Sequence, residues 1–450
     1  MMKTFKIGGI HPGEFKPAAG KAVKTIELPL EVTVPLSQHI GAPAVAKVAK
    51  GDHVERGQVI AEAGGFVSAN VHAPISGTVV KIDKYKTPQG LPADAIFIKA
   101  DEADHAADTE KRANPEVKRD KAAVAALDAK EIVDIIKAAG IVGMGGATFP
   151  THVKLCPPPG NVAEVLIINA VECEPYLSCD DMLMRERAEE VLTGVQLLMR
   201  AAKVNRAIIA IEENKPEAIE IMTKAADGMD GVEVMTMKMK YPQGSEKQLI
   251  EATIGKEVPS GGLPIATGAI VQNVATASAV ARAVIYDEPL IERMLTLINT
   301  ADGTAENYLV AVGTPMASLL AEDAALPAKI ILGGPMMGRP GISLLAPVIK
   351  GTSGILLLDE SQASRLEPEP CIRCGKCVEA CPMGLEPFLL STLSRLKDFE
   401  SALEEKVVNC IECGCCSFSC PANRPILDYI RIGKAAGMGI MRARAAAAKK

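Results

Sequence analysis

The chain has 450 residues, 48% of them apolar, enough for two to four packed domains. Its net charge of −6, 3% aromatic content and lack of Trp argue against a nucleic-acid binder, which would show a basic footprint and stacking platforms. No run reaches the roughly 18 consecutive apolar residues of a spanning helix, and the opening "MMKTFKIGGIHPGEFK" has no signal-peptide segment, so a globular cytoplasmic chain with reduced thiols is expected.

Residues 30–100 alternate short β-type runs with turn residues, and "KGDHVERGQVIAE" and "APISGTVVKI" look like the two halves of a biotinyl/lipoyl-type β-sandwich assigned to 1–100. Carriers of that type hold a modifiable lysine on the hairpin between the halves. Here the hairpin "AGGFVSANVHAP" has none, so a docking or structural role is expected rather than a swinging arm. Residues 101–130 are charged and Ala-rich and read as a solvated linker that becomes a helix, marking a domain boundary.

Next, "EIVDIIKAAGIVGMGGATFPTHVKL" reads as a helix entering a glycine-rich loop. Gly140, Gly143, Gly145 and Gly146 permit close backbone approach to a ligand phosphate, whose charge loop amides and Lys154 would meet. A plain tight turn is the equal alternative on the glycines alone. Thr148 stands where the third glycine of G-x-G-x-x-G would fall, so an ordinary dinucleotide fingerprint is not supported. "EVLIINAVECEPY" follows as an apolar strand ending in Asn169, Glu172 and Glu174, at the kind of strand end where open α/β sheets bind ligands. The acids are alternatively a solvated face. Alternating helix and strand patterns then predict a doubly wound domain over 131–300.

Near the C-terminus, Cys371, Cys374, Cys377 and Cys381 follow C-x2-C-x2-C-x3-C-P, and Cys410, Cys413, Cys416 and Cys420 repeat it. Paired runs of this kind hold two four-iron clusters, and in two-cluster ferredoxins the fourth cysteine of each run ligates the other cluster. By that rule Cys371, Cys374, Cys377 and Cys420 hold one cluster, and Cys410, Cys413, Cys416 and Cys381 the second. Structural zinc is the rival, but it leaves both fourth cysteines unexplained. Cys415 is surplus to the pattern, and Cys156, Cys173 and Cys179 read as buried structural thiols. Leu389, Leu390, Leu393, Leu396 and Leu403 recur at helical spacing between the runs, so a mostly α-helical module is expected at 360–436. The basic, Ala-rich tail 437–450 reads as a weak, disordered anchor for anionic lipid.

"GMGGATFPTHVKL", "INAVECEPY", "YPQGSEKQLIEATIGKEVP" and "AIVQNVATASAVARAV" resemble, in order, the flavin- and nicotinamide-binding subunit of respiratory complex I. With the sandwich ahead and the twin cysteine runs behind, nearly the whole chain resembles the RnfC (RsxC) family, part of an ion-translocating ferredoxin:NAD oxidoreductase of bacterial membranes. The resemblance implies non-covalent FMN, NADH as substrate and two [4Fe-4S] clusters. It implies Gly143, Gly145, Gly146 and Lys154 at phosphate and nicotinamide cofactor, and Asn169, Glu172 and Glu174 lining the flavin. Tyr241, Gly244 and Glu246 would form the opposite wall, and Asn273 and Thr276 would close the phosphate end. Met144, Ser245 and Gln272 depart from the complex I pattern, replacing an arginine, a glutamate and an asparagine. A small β-grasp module is implied at 301–350, with "GGPMMG" a tight turn.

The expected architecture is therefore multidomain α/β: an N-terminal β-sandwich hybrid domain, an α/β flavin and NADH domain, a small β-grasp domain and a mostly helical two-cluster ferredoxin-like domain. The implied partners are the other Rnf subunits, NAD(H) and, indirectly, ferredoxin, with no nucleic acid. The implied location is the cytoplasmic face of the cell membrane, in a peripheral position. Hydride delivers two electrons and a cluster takes one, so a flavin must stand between them. The rival functions are a soluble flavin and iron–sulfur cobalamin reductase, which typically lacks the sandwich, an electron relay without flavin, and a zinc-bound scaffold.

Overall fold

The computed structural model describes residues 2–447. Strands Glu31–Pro35, Pro92–Lys99, Gly77–Lys86 and His53–Val54 form one antiparallel sheet in that order, and Val45–Ala46, Val59–Glu62 and Val71–His72 form a second. Val32 and Val34, alternating along one strand, meet Ile60, Ile75, Val79, Ile96 and Ile98 in the core between the sheets. This is the expected sandwich.

The segment after it is mostly exposed and becomes helical sooner than a linker would. It forms helices Glu102–Ala113 and Lys121–Ala126. The Asp108 carboxylate, 1% exposed, accepts the Ser76 amide at 2.5 Å and its hydroxyl at 2.8 Å. A buried acid needs such donors, so the first helix is stitched to the sandwich.

Four parallel strands, Val232–Met237, Ala207–Glu212, Val165–Asn169 and Ala269–Asn273 in spatial order, build the second unit. The strand Val165–Asn169 is buried on both faces. Leu166 and Ile168 meet helices Ala129–Ala138, Ala188–Ala202 and Val274–Tyr286 on one side, while Val165 and Ile167 meet Glu246–Ile254 and Phe5 on the other. Gly194 lets two of those helices touch, since a Cβ there would lie 1.8 Å from the Ala277 carbonyl oxygen. The strand order reverses between Val165–Asn169 and Ala269–Asn273, whose last residues are register partners. Such switch points are where open α/β sheets leave a crevice.

A mixed six-stranded sheet follows, in the order Lys24–Thr25, Thr304–Ala311, Glu292–Asn299, Gly354–Leu358, Lys329–Leu332 and Arg339–Gly341. Its central pair, Glu292–Asn299 and Gly354–Leu358, is parallel with antiparallel strands outside it, as in a β-grasp sheet. Both central strands lie outside the 301–350 expected from sequence, because ladder pairing, not local composition, sets the limits of this sheet.

The C-terminal module is helical: Lys376–Glu379, Pro387–Arg395, Phe399–Glu404, Cys415–Phe418 and Ile426–Ala447. The leucine-periodic stretch breaks at Lys397, which has φ 62°, and leaves Leu396 66% exposed. The expected disordered tail is helix as far as Ala447, where Arg444 pairs with Glu400 at 2.6 Å. The last three positions of that expectation, 448–450, lie outside the described residues. No helix among the described residues is long and apolar enough to cross a membrane.

Candidate functional site

The glycine loop is an excursion closed at its base, where Val142 bridges Pro150 and the Gly143 amide donates to Phe149 O at 2.8 Å. Its apex, Gly145 to Ala147, is exposed. Inside the loop the Met144 amide donates to Thr276 Oγ1 at 2.9 Å. An added Cβ on Gly145 would sit 3.4 Å from Asn273. Gly146 has φ 102° with open space beside it. The loop thus lies against the helix start at Asn273, whose side chain accepts the Ala275 amide at 2.9 Å. Exposed amides, a left-handed glycine and a helix N-terminus together suit an anion. Gly143, Gly145, Gly146, Asn169, Asn273 and Thr276 are brought to one place at the switch point.

The opposite wall is also assembled. Asn169 Nδ2 donates to Gly244 O at 2.7 Å, joining the strand end to the Tyr241–Gly244 turn. Lys154 Nζ reaches Glu246 at 2.8 Å and Val271 O at 2.9 Å, so its charge is held by the wall rather than aimed at the loop.

In this structure the two acids accept backbone amides of neighbouring loops. The Glu172 carboxylate accepts the Asp180 and Asp181 amides at 2.8 and 3.3 Å, capping helix Cys179–Glu186. Glu174 accepts the Met336 and Met337 amides at 3.0 and 2.9 Å, holding the "GGPMMG" turn, and the Tyr241 hydroxyl lies 3.3 Å from it. Desolvation by packing pushes Glu174 up to about 7, the amides and Tyr241 pulling the other way. Burial does the same to Glu212, also about 7, and lowers its partner Lys215, 3.9 Å away. Lys16, which sequence reasoning missed, gathers this loop by donating to the carbonyls of Glu172, Glu174 and Leu177 at 3.0, 3.2 and 2.5 Å. No local pattern marks Lys16.

In the cysteine module the two runs repeat in backbone as well as spacing. Arg373 and Glu412 have φ 54° and 59°, Gly375 and Gly414 have φ 77° and 81°, and a one-turn helix follows each glycine. Cys381 crosses to the later run and lines one cavity with Cys410, Cys413 and Cys416. Burial foremost, with Cys413 and Cys381 beside it, pushes Cys410 up to about 11, opposed by the Glu412 amide and Lys434. Cys377 is raised by burial first, with Cys420 and Cys371 as its thiol neighbours. Cys381, Cys410, Cys413 and Cys416 therefore share one cavity, and Cys371, Cys377 and Cys420 of the other expected quartet lie near one another. Crowded thiolates of this kind need a cation to share their charge.

A tetrahedral zinc site, with Zn–S near 2.3 Å, would need sulfurs about 3.8 Å apart. Among the described residues no three of these cysteines bring their sulfurs within 4.8 Å of one another; the only such group is Glu172, Cys179 and Asp180. Of the other thiols, Cys179 and Cys415 are buried and Cys173 partly so, but Cys156 is exposed, against expectation.

The two halves meet at a seam. Tyr241 Oη donates to Cys413 O at 2.8 Å, and Tyr241, Ile10, Ala380, Cys413 and Cys415 pack together. The N-terminal segment passes through the seam, with the Gly9 amide on Ala380 O at 3.0 Å and Ile10 bridged to Tyr241. The quartet at Cys381 and Cys410–Cys416 thus lies next to the Tyr241–Gly244 wall, while Cys371 and Cys374 are on the surface.

A phosphate-type loop at a sheet switch point, joined through one seam to two cysteine quartets, defines a flavin- and iron–sulfur-containing electron-transfer protein. Residues 136–282 match the Nuo51 FMN-binding domain, residues 3–103 the RnfC barrel sandwich hybrid domain and residues 363–421 a 4Fe-4S dicluster domain. The RnfC component of the proton-translocating ferredoxin:NAD(+) oxidoreductase complex of Clostridium ljungdahlii is 44% identical, over 96% of this chain and 93% of that one. Its counterpart in the ion-translocating oxidoreductase complex of Rhodobacter capsulatus is 42% identical over 96% and 83%. The counterpart in the Na(+)-translocating complex of Acetobacterium woodii is 40% identical over 96% and 96%. The chain belongs to the RnfC family of the ion-translocating oxidoreductase complexes. The residues present fit its cofactors: the loop leaves open space at Gly146 where a phosphate could lie, and Cys381, Cys410, Cys413 and Cys416 line one cavity.

Proposed function

We propose that this chain passes electrons between NAD(H) and the ferredoxin-side subunits of an Rnf complex, as a peripheral subunit at the cytoplasmic face of the bacterial cell membrane. The observation that carries the reading is the seam. The wall at Tyr241–Gly244 faces the flavin crevice on one side and touches the cluster turn at Cys413 on the other.

FMN would supply the step from a two-electron hydride to the one-electron chemistry of two [4Fe-4S] clusters. Gly143, Gly145 and Gly146 would present amides to its phosphate, with Asn273 and Thr276 closing that end. Asn169 and Gly244 would border the ring, Tyr241 would fix the wall to the cluster turn, and Glu172 and Glu174 would hold the surrounding loops in shape. Cys371, Cys374, Cys377 and Cys420 would hold the surface cluster, and Cys381, Cys410, Cys413 and Cys416 the one at the seam. Relatives named for protons and for sodium match this chain over the same extent, in keeping with ion movement in other subunits. The sandwich domain sets the chain apart from a cobalamin reductase.

The experiment is anaerobic titration of the FMN-loaded chain, alone, with NADH. Flavin absorbance should bleach, and the cluster absorbance should follow. If excess NADH leaves the flavin oxidised while dithionite reduces it, the electron-converter reading fails.

A further inference from the structure

The sandwich hairpin at Asn70 and Lys350 both meet the residue at the start of the glycine loop. Lys350 is 1% exposed and forms no ion pair among the described residues. Its Nζ donates to Asn70 O and to Gly140 O, each at 2.7 Å. Asn70 lies on the hairpin where carrier domains would place their lysine, and its side chain donates to Ala138 O at 3.3 Å. The Lys350 amide is held by Gln38 Oε1 at 3.1 Å. A Cβ on Gly140 would come within 2.3 Å of Asn70 O and 2.9 Å of Lys350 Nζ, so no other residue fits between them.

The far end of the loop is pinned from the same side. The Ile40 amide of the sandwich donates to Thr148 O at 3.3 Å. Gly351, next to Lys350, packs so closely on Thr148 that a Cβ would meet its methyl at 2.4 Å. Gly140 before the excursion and Thr148 on its returning limb are therefore gripped, and its exposed apex is not. Burying an amine with no carboxylate is costly, and desolvation pushes Lys350 down to about 7. Loss of that proton still leaves two N–H groups for the two carbonyls.

We propose that Lys350, with the sandwich hairpin, is the positioning residue of the FMN loop: it clamps the loop's base so that the amides at Gly145 and Gly146 stay aimed at the FMN phosphate. The sandwich then acts as the loop's rear wall and not as a carrier. This rests on the FMN reading above.

The test is Lys350→Met in the full chain with clusters assembled, measuring dissociation constants for FMN and for riboflavin by flavin fluorescence. FMN affinity should fall about tenfold or more while riboflavin affinity, which lacks the phosphate contact, and iron content hold. FMN affinity within about twofold of wild type, or equal losses for FMN and riboflavin, overturns the proposal. Should the Met variant fail to assemble, Ile40→Pro removes the amide that reaches Thr148 from a half-exposed position. It should show the same phosphate-selective loss, and unchanged FMN binding there overturns the clamp equally. Wild-type protein that assembles clusters but binds neither flavin would instead refute the FMN reading.

Discussion

Gly146 carries more of the site than any side chain near it. Its φ of 102° is one that L residues rarely adopt, and nothing lies within 4 Å of where a Cβ would be built. A substitution is thus penalised by backbone strain and by intrusion into the space a phosphate would occupy, not by a clash within the protein. Gly146→Val should abolish FMN binding while iron stays near eight per chain, because every cluster ligand lies beyond residue 370. Flavin and iron assays on the same sample check both halves, and normal flavin content would reduce the loop to an ordinary turn. Glu172 and Glu174 show the opposite situation. Their position after an apolar strand was readable, but what they bind was not, because their partners at 180–181 and 336–337 come near only when the chain folds.

Among the elements, helix Glu102–Ala113 departs most from its appearance in the sequence. Its composition is that of a solvated segment, and only Asp108 turns inward. Two charge-assisted bonds to Ser76 make that one residue decisive. Asp108→Ala should cost about 2–4 kcal/mol, since it also leaves the Ser76 amide and hydroxyl hydrogens without their acceptor. Hydrogen exchange along strand Gly77–Lys86 should accelerate in the full-length variant. No change there would return the helix to the status of a linker. The parallel sheet was easier to read, because strands buried on both faces must be apolar throughout. The six-stranded sheet was harder, since its central strands are separated by the whole β-grasp loop region and their pairing has no local signal.

For the whole molecule, the seam arranges the quartets in depth. Cys371 and Cys374 are exposed, whereas Cys381, Cys413 and Cys416 are buried. Iron held by the first quartet should be lost first to a chelator, taking the protein from about eight irons to about four before the second phase begins. Cys374→Ser should lack the fast phase and keep the slow one. A single rate for all the iron would contradict this arrangement. The Tyr241–Gly244 wall lies beside the inner cysteines, and Cys371 and Cys374 face solvent.

The sequence by itself determined the kinds of domain and which cysteines are candidate ligands. Two C-x2-C-x2-C-x3-C-P runs specify chelation because three sulfurs must converge within a few residues, and a glycine-rich turn before an apolar strand specifies close backbone approach. Such constraints act over short stretches, so they leave a local trace. Only the tertiary structure decided how the parts are joined. It placed Lys350 on Gly140 and Asn70, 210 and 280 residues away in sequence, and Tyr241 on Cys413, 172 residues away. Those bonds use ordinary residues and backbone carbonyls. Their placement follows from burying several cores at once, and no spacing in the chain records it.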